Sequence, residues 1–238
     1  MRTIIVIPTY NEKNNLPELI RRIFSLALPD LSLIIVDDNS PDGTGAIAEN
    51  LKKESAAVEV IHRAKKMGLG SAYVEGFKLA LSAGADYIME MDADFSHDYR
   101  YLPVFLKEIA RADLVLGSRY IRGGGIKNWG WGRRAVSGLG NIYARMILGA
   151  PIHDLTGGFK CYRRSVLEKI NLAELDSQGY VFQIETTYLA WKAGFAVKEI
   201  PIIFNEREAG KSKFNFKIFI EALWRVLLLR FKKITDQN

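Results

Sequence analysis

One apolar stretch decides the fold of this chain, Tyr87-Ile88-Met89-Glu90-Met91-Asp92-Ala93-Asp94. It has the length and composition of a buried β-strand, and it ends in two aspartates that one small residue separates. Ligands of open α/β sheets bind at the carboxyl ends of the strands, where Asp92 and Asp94 are expected to lie. Aspartate is also common in the turn after a strand, where it caps the next helix, so the stretch alone leaves both interpretations open.

Patterns typical of strands and helices alternate through the first 120 residues. The predicted strands are residues 3–8, 31–36, about 57–62, 87–94 and 114–119. The predicted helices are residues 14–27, about 43–54, 70–83 and about 99–110. Strands that alternate with helices of this length favour right-handed crossovers and a mainly parallel sheet. We therefore predict an α/β fold with helices on both faces of the sheet.

The charge of the chain is divided unevenly between its two halves. Residues 1–116 contain 13 Lys and Arg against 17 Asp and Glu, whereas residues 117–238 contain 20 against 10. A basic half attracts the phosphates of nucleic acid, anionic lipid or a phosphorylated substrate. We recognise no nucleic-acid motif or basic recognition helix, so no nucleic-acid partner is expected. The single cysteine, Cys161, excludes a disulfide framework and a cysteine-based zinc site.

Three polar clusters follow predicted strands: Pro8-Thr9-Tyr10-Asn11-Glu12, Asp37-Asp38 and Asp92-Ala93-Asp94. The strand ends of a parallel sheet gather at one edge, and three such clusters are hard to explain as helix caps alone. Gly68-Leu69-Gly70 lacks the third glycine of the dinucleotide fingerprint and has Tyr73 in its place, and no other phosphate loop is recognised. Carboxylates that hold Mg²⁺ or Mn²⁺ offer another way to neutralise the phosphates of a nucleotide.

These motifs resemble those of a known family, over a span from about residue 3 to about residue 215. Four are similar to motifs of the inverting nucleotide-sugar glycosyltransferases with a GT-A fold: Pro8-Thr9-Tyr10-Asn11-Glu12, Val36-Asp37-Asp38-Asn39-Ser40-Pro41-Asp42-Gly43-Thr44, Met91-Asp92-Ala93-Asp94 and Gly117-Ser118-Arg119-Tyr120. Three more resemble the dolichyl-phosphate mannose synthase branch: Asp154-Leu155-Thr156-Gly157-Gly158-Phe159, Gly179-Tyr180-Val181-Phe182-Gln183-Ile184-Glu185 and Arg207-Glu208-Ala209-Gly210-Lys211-Ser212-Lys213. The resemblance implies a GT-A, Rossmann-like fold.

The resemblance also implies a role for each matching residue. The nucleobase and ribose would be held by Pro8, Tyr10, Glu12, Val36 and Asp38. The rest of the donor would be bound by Asp92, Ala93 and Asp94, with Mg²⁺ or Mn²⁺ on Asp92 and Asp94, and its diphosphate would be covered by Arg207 and Lys213. The acceptor phosphate would be received by Arg119, Arg133 and Ser137, which with Asp94 form the predicted catalytic set.

Several positions keep more than one interpretation. Some relatives have a Gln as an added metal contact where this chain has Ser96, and His97 is either a substitute contact or a structural residue. Glu185 either faces the acceptor or has a structural role. Trp129 and Trp131 follow a run of glycines and predict a mobile loop with aromatic tips.

The end of the chain predicts an amphipathic helix. Lys217, Glu221 and Arg225 stand four residues apart and leave a wide apolar face, but no uncharged run approaches the roughly 18 to 20 residues of a spanning helix. This pattern is typical of a helix in an anionic membrane interface or on a membrane partner, and also of a terminal helix packed on its own domain. We predict a catalytic domain at 1–213, with a nucleotide-sugar half at about 1–120 and an acceptor half at about 121–213, followed by the helix and tail at 214–238.

The predicted activity is transfer of mannose from GDP-mannose to a dolichyl or polyprenyl monophosphate, with inversion and assisted by a metal. No signal peptide is recognised, because the first apolar run is too short, so the expected location is the cytoplasmic face of a membrane, peripherally bound. Relatives in this branch can carry appended transmembrane segments, so we expect either that a small membrane subunit anchors this chain or that the chain is a truncated form. The alternatives are a glucosyltransferase that uses UDP-glucose and polyprenyl phosphate, and a non-catalytic nucleotide-sugar-binding protein, against which the intact Asp92, Asp94 and Arg119 argue.

Overall fold

A computed structural model of the chain describes residues 1–175, 177, 179–206 and 216–232, with the side chains of 216–222 left aside. Two of the predicted site residues, Arg207 and Lys213, lie outside the described residues. The same holds for the motif from which they were inferred. All other predicted site residues are placed by the structure.

Nine strands form two sheets in the described part of the chain. They are β1 (Thr3–Thr9), β2 (Leu31–Asp37), β3 (Val58–His62), β4 (Tyr87–Glu90), β5 (Leu114–Ser118), β6 (Gly125–Ile126), β7 (Lys160–Arg163), β8 (Val197–Pro201) and β9 (Ile203–Phe204). The main sheet has the order β3-β2-β1-β4-β7-β5-β8, and β6 pairs with β9 in a small second sheet. In the main sheet only β7 is antiparallel to its neighbours, so the prediction of a mainly parallel sheet is confirmed.

Eight α-helices accompany these strands in the described residues. They are α1 (Leu16–Ser25), α2 (Thr44–Glu54), α3 (Leu69–Ser82), α4 (Leu102–Glu108), α5 (Trp131–Leu148), α6 (Arg164–Lys169), α7 (Gly179–Lys192) and α8 (Phe216–Phe231). Short 3₁₀ turns flank α4 and precede α7. The four helices predicted in the first half correspond to α1, α2, α3 and α4, and the ends of α1 to α3 agree to within two residues.

The core has one layer on each face of the main sheet, because successive side chains of a strand point to opposite faces. On one face, Ile5 and Ile7 of β1 join a buried cluster with residues of α1 and α4. On the other face, Ile4 and Val6 join a cluster with residues of α3 and α7. This arrangement confirms helices on both faces and explains why β1 reads as an almost continuous apolar run.

Two local features differ from the sequence-based expectation. Strand β4 ends at Glu90, so Asp92 and Asp94 belong to the following turn rather than to the strand itself. The stretch after Trp129 is not a long loop, because Trp131 opens the 18-residue helix α5. Trp129 is buried and Trp131 is exposed, so only one of the two tryptophans has the predicted exposed ring.

Helix α8 packs against α5 and α7. Val226 and Leu229 are buried in this contact, and the Tyr143 hydroxyl donates to the Leu223 carbonyl at 3.0 Å. Part of the apolar face of α8 therefore packs on its own domain, which was one of the two interpretations of this helix. The division of the chain at residue 213 stays a prediction. Among the helices that the structure describes, none combines the length and apolar character needed to cross a bilayer.

The packing of α3 on β1 predicts a large cost for one added methyl group. A Cβ added at Gly76 would lie 2.2 Å from Val6 Cγ1, so Gly76→Ala is expected to destabilise the fold by about 1 to 3 kcal/mol through overpacking. Gly140, within α5, is the matched control. Apart from its chain neighbours and the backbone of its own helix, a Cβ there meets no described atom within 4 Å, and alanine is expected to stabilise the helix by about 0.5 to 1 kcal/mol. Urea unfolding of both variants tests this, and equal stability changes would contradict it.

Candidate active site

The turn after β4 holds Asp92 and Asp94 at the carboxyl edge of the sheet. The Tyr73 hydroxyl donates to Asp92 Oδ1 at 3.1 Å, and Asp94 Oδ1 accepts the backbone N–H of Ser96 at 3.1 Å. Between them and Ser96, Phe95 has a φ of 60°, in the left-handed region that a bulky residue rarely adopts. Such strain persists only where the surroundings hold it, and it is often found at functional sites.

His97 supports this turn from inside. Its Nδ1 accepts the backbone N–H of Asp92 at 3.0 Å, so the proton of the neutral ring is on Nε2. The ring is buried and stacks on Phe159 with centroids 4.9 Å apart and an interplanar angle of 13°. Because Nδ1 is engaged by the backbone, these contacts favour the structural interpretation of His97 over that of a metal contact.

The ends of β1 and β2 carry the residues predicted to hold the nucleobase and ribose. Pro8 and Tyr10 are half-buried, and Lys66 Nζ lies 3.2 Å from the centroid of the Tyr10 ring. Glu12 accepts a hydrogen bond from Asn15 Nδ2 at 2.7 Å. Val36 is fully buried in the core cluster that covers α3, so its side chain is part of the core rather than of an open edge.

Asp38 organises the loop that precedes α3. This buried carboxylate accepts hydrogen bonds from Arg63 at 2.9 Å and from the backbone N–H groups of Met67 and Gly68 at 2.9 and 3.0 Å. The carboxylate therefore holds the 64–68 loop, which presents Lys66 to Tyr10. No sequence pattern near Asp38 indicates that Arg63, which is 25 residues away, is its partner.

A basic cluster lies at the ends of β5 and β9 and at the start of α5. Arg119 is buried and makes a bidentate ion pair with Asp154, with N–O distances of 2.7 Å from both Nε and Nη2. Burial opposes the charge of this guanidinium, but the Asp154 carboxylate outweighs it and raises the pKa of Arg119 above its ordinary value. Nη2 also donates to Thr156 at 2.7 Å. The pair fixes Arg119 in one orientation.

The other two predicted acceptor residues belong to α5. Arg133 donates to Glu206 at 3.0 Å, and its Cζ lies 3.9 Å from the centroid of the buried Trp129 ring. Ser137 accepts a hydrogen bond from the Tyr120 hydroxyl at 2.8 Å. Tyr120 follows Arg119 directly, so the structure brings all three predicted acceptor residues into one neighbourhood.

The ring of Phe204 connects the aspartate turn with the basic cluster. Its centroid lies 5.6 Å from that of His97 and 5.5 Å from that of Trp129, both in edge-on geometry. Arg119 Cζ lies 5.4 Å from the same centroid. Phe204 is in the short strand β9, which no sequence pattern singled out. The residues predicted for the donor and those predicted for the acceptor are therefore parts of one continuous site.

A buried polar network connects β4, β7 and α7 next to the site. Glu90 and Lys160 are register partners on β4 and β7, and both are fully buried. The Tyr162 hydroxyl donates to Glu90 at 2.6 Å, while Lys160 Nζ donates to Gln183 Oε1 at 2.5 Å and Thr186 Oγ1 at 2.9 Å. Burial raises the pKa of Glu90 and lowers that of Lys160 to about 8, although each of the two charges partly opposes the shift of the other.

Glu185 lies away from the aspartate turn. It is buried on α7, and its Oε1 accepts a hydrogen bond from Lys232, just after α8, at 2.6 Å. Lys192 at the end of α7 donates in turn to the Lys232 carbonyl at 2.7 Å. These contacts favour the structural interpretation of Glu185, as a residue that fixes the end of α8.

The oxygen atoms of the turn fit a hard divalent cation. In the described part of the chain, no group of three or more His, Cys, Asp or Glu side chains could hold a metal ion. Mg²⁺, however, is commonly held by one or two carboxylates together with phosphate oxygens of the substrate. Ser96 adds a buried hydroxyl for which the described residues provide no hydrogen-bond partner. Two carboxylates and this hydroxyl match the oxygen preference of Mg²⁺ and Mn²⁺.

Several supporting residues were missed by the sequence analysis. They are Arg63, Tyr73, Asp154 in its pairing with Arg119, Lys160 and Phe204. One signal was present, because Glu90 and Lys160 are charged residues inside short apolar runs, and buried charges require partners. The remaining contacts join residues far apart in the chain and leave no local pattern.

The comparisons with known proteins identify the family. The model of glycosyl transferase family 2 matches residues 4–171. The chain is 48% identical over 227 residues to the polyprenol monophosphomannose synthase of Mycolicibacterium smegmatis, covering 94% of this chain and 85% of that protein. It is 42% identical over 226 residues to the undecaprenyl-phosphate mannosyltransferase of Micrococcus luteus, covering 95% and 93%. The chain belongs to glycosyl transferase family 2 and is a glycosyltransferase.

The solved structures confirm the fold. The glucosyl-3-phosphoglycerate synthase of Mycobacterium tuberculosis, crystallised with Mn²⁺, uridine diphosphate and phosphoglyceric acid, superimposes with a TM-score of 0.68 at 17% identity. The match covers 96% of this chain and 78% of that one. A crystal of the same synthase with Mg²⁺ and uridine diphosphate gives a TM-score of 0.66 at 16% identity. The chain therefore has the GT-A-like fold that the resemblance implied.

The network around Lys160 predicts how stability changes with pH. The pKa of Lys160 is about 8 in the folded chain, against an ordinary value of 10.5. Between pH 8 and pH 10 the unfolded chain therefore binds more protons, and this group raises the free energy of unfolding by about 2 kcal/mol across that window. The buried Cys161, Tyr73 and Tyr162 have raised pKa values and oppose this rise over the same window, but they do so in both proteins. Urea unfolding should therefore show the stability of the wild type, relative to that of Lys160→Met, increasing by about this amount from pH 8 to pH 10. An identical pH dependence in the two proteins would contradict the prediction.

Proposed function

We propose that this glycosyltransferase moves mannose from GDP-mannose to a polyprenyl or dolichyl monophosphate, with inversion, at the cytoplasmic face of a membrane. The names of the two relatives support mannose as the sugar and a polyprenyl phosphate as the acceptor. The observation that carries the proposal is the connection through Phe204, which places the acidic turn and the basic cluster in one site. A phosphorylated donor and a phosphorylated acceptor have to meet in such a site.

The acceptor phosphate is the nucleophile in this reaction. One of its oxygens forms a bond to the anomeric carbon of mannose while the bond from that carbon to the diphosphate oxygen breaks, and GDP leaves with the electron pair. Attack from the face opposite the leaving group inverts the configuration. A phosphate monoester is already anionic near neutral pH, so no strong general base is required.

The residues of the basic cluster bind and orient that phosphate. Arg133 and Arg119 carry positive charge, and Asp154 holds Arg119 in a fixed orientation. Guanidinium groups suit phosphate because their N–H donors match its geometry. Ser137 contributes a hydroxyl beside Tyr120. Preorganised donors of this kind lower the barrier by positioning the reacting oxygen.

On the donor side, Asp92 and Asp94 are proposed to hold Mg²⁺ or Mn²⁺, with Ser96 as a neighbouring oxygen. The cation supplies Lewis-acid stabilisation of the leaving diphosphate when it is bound. The role of the chain itself is to keep the two carboxylates in place. The Tyr73 hydroxyl donates to the Asp92 carboxylate, His97 accepts the Asp92 backbone N–H, and the Ser96 backbone N–H donates to the Asp94 carboxylate. Pro8, Tyr10, Glu12 and Asp38 stay the proposed contacts of the nucleobase and ribose.

Replacement of Asp94 tests the donor side. Asp94→Asn removes a charge from the turn and is expected to lower transfer of radiolabelled mannose from GDP-mannose to polyprenyl phosphate by about a hundredfold or more. Asp98→Asn is the matched control, because Asp98 lies four residues on, pairs with Arg100 and should leave the rate nearly unchanged.

Undiminished transfer by Asp94→Asn would contradict the metal assignment. The same assay with UDP-glucose separates the two donors, since preferential transfer of glucose would replace the mannose proposal. Absence of transfer from either donor, with GDP still bound, would favour a non-catalytic nucleotide-sugar-binding protein.

A surface formed by α5 and α8 is the proposed membrane contact. Each helix exposes a stripe of apolar side chains at spacings of three, four or eight residues. These residues define the α5–α8 face: Trp131, Leu139, Ile142, Met146, Trp224, Leu228 and Phe231. Helix α5 contains three arginines and no acidic residue, which suits an anionic leaflet. The start of α5 also carries Arg133, so the acceptor phosphate would be bound close to the lipid surface.

Polar substitutions on this face test membrane binding. The double variant Met146→Ser with Leu228→Ser is expected to weaken binding to vesicles containing anionic phospholipid by about tenfold or more, because two large apolar side chains are lost. Met67→Ser with Val104→Ser is the control, since both residues are exposed but lie outside this face. Equal flotation of the two variants with liposomes would contradict the membrane proposal.

A further inference from the structure

The start of α5 combines an uncapped helix N-terminus with two arginines. Its N-cap, Gly130, provides no side-chain cap, and its first turn contains no acidic residue but two arginines, Arg133 and Arg134. Helix N-termini present backbone N–H groups without intrahelical partners, and the helix macrodipole makes this end positive. Of these two arginines, Arg133 pairs with Glu206 at 3.0 Å and Arg134 donates to the Ile126 carbonyl.

Trp129 lies directly before this helix and inside the basic cluster. Its side chain is buried, although tryptophans beside exposed loops usually keep part of the ring in water. Arg133 Cζ lies 3.9 Å from the ring centroid and Arg119 Cζ lies 5.8 Å from it. The opposite contact is edge-on with Phe204 at 5.5 Å and 76°. Two guanidinium groups therefore lie around one indole ring.

The indole N–H of Trp129 is a buried donor without an acceptor. No hydrogen-bond partner for Nε1 exists among the residues that the structure describes, although the residue is only 8% exposed. A buried N–H that loses its bond to water and gains no other is costly, and tryptophans in protein interiors usually find a partner. The ring that carries this donor has Arg133 and Arg119 as neighbours, which pair with Glu206 and Asp154. A charged acceptor such as a phosphate oxygen would make a stronger hydrogen bond to the indole N–H than a neutral hydroxyl would.

We infer that Trp129 is an acceptor-binding residue, whose indole N–H donates to a phosphate oxygen of the lipid monophosphate. The inference rests on the proposed function, since it assigns a further contact in the same acceptor site. With Arg119 and Arg133 as charged donors, Trp129 adds a neutral donor on a rigid ring. Such a donor fixes the rotation of the phosphate without adding charge, and so helps to direct one oxygen at the sugar.

Binding of a water-soluble, short-chain isoprenyl phosphate measures this contact directly. Trp129→Phe keeps an aromatic ring against Phe204 and removes only the N–H and part of the ring. Because hydrogen bonds to charged groups are the strong ones, we expect calorimetry to show binding weakened by about tenfold or more, with GDP binding unchanged. Trp191→Phe is the matched control, since Trp191 lies on α7 and packs with Tyr188, so this variant should bind the ligand like the wild type.

The indole proton provides a readout that a purely structural role would not change. The chain has four tryptophans, and Trp129→Phe assigns the Trp129 signal in a ¹H–¹⁵N spectrum by its loss. Addition of isoprenyl phosphate to the wild type should move that proton downfield, whereas the uncharged isoprenyl alcohol should not. A shift caused instead by GDP-mannose alone would overturn the inference and assign the N–H to the donor.

The outcomes separate this inference from the proposed function. Wild type that binds isoprenyl phosphate but transfers no mannose would reject the proposed function while the comparison of binding still tests Trp129. Wild type that transfers mannose while Trp129→Phe keeps its affinity and its KM for the acceptor would reject only the inference. Failure of the wild type to bind isoprenyl phosphate would reject the inference as well.

Discussion

Strand β7 runs antiparallel to β4 and β5, between which it lies, and the composition of the site depends on that direction. Parallel strands bring only their carboxyl ends to the site edge, whereas β7 brings its amino-terminal end and the segment before it. That segment contains Asp154, which pairs with Arg119, and Phe159, which stacks on His97. A parallel strand at this position would place neither residue at the edge. The direction of this single strand thus brings partners of both the acidic turn and the basic cluster to the same edge of the sheet.

Local patterns predicted much of the fold. The apolar runs of β1, β2 and β5 are buried on both faces of the sheet, and such runs can be recognised without knowing their partners. Strand β7 escaped prediction because it has only four residues, and Lys160 interrupts its apolar character. Lys160 becomes acceptable in the interior only through Gln183 and Thr186, which come from a helix more than twenty residues later.

The sequence predicted the location of the candidate site better than the contacts within it. Asp92 and Asp94 were placed at the edge because strand ends gather there, and the structure agrees. The sequence could not show that Arg119 pairs with Asp154, since that contact joins residues 35 positions apart. Nor could it show that Val36 is buried or that Trp129 lies under Arg133, because both depend on how helices pack on the sheet. Ligand contacts of this kind are properties of tertiary packing.

The left-handed backbone of Phe95 affects which residues could replace it. Glycine adopts a φ of 60° without strain, so glycine at this position would relieve the backbone locally. It would also free the turn that holds Asp92 and Asp94, and it would lose the ring over which Arg22 lies at 5.0 Å. Glycine would therefore remove the backbone strain but lose a ring that packs against the core and make the turn more flexible. Phe95 thus combines a constrained backbone, which fixes the turn of Asp92 and Asp94, with a side chain that anchors this turn to the core.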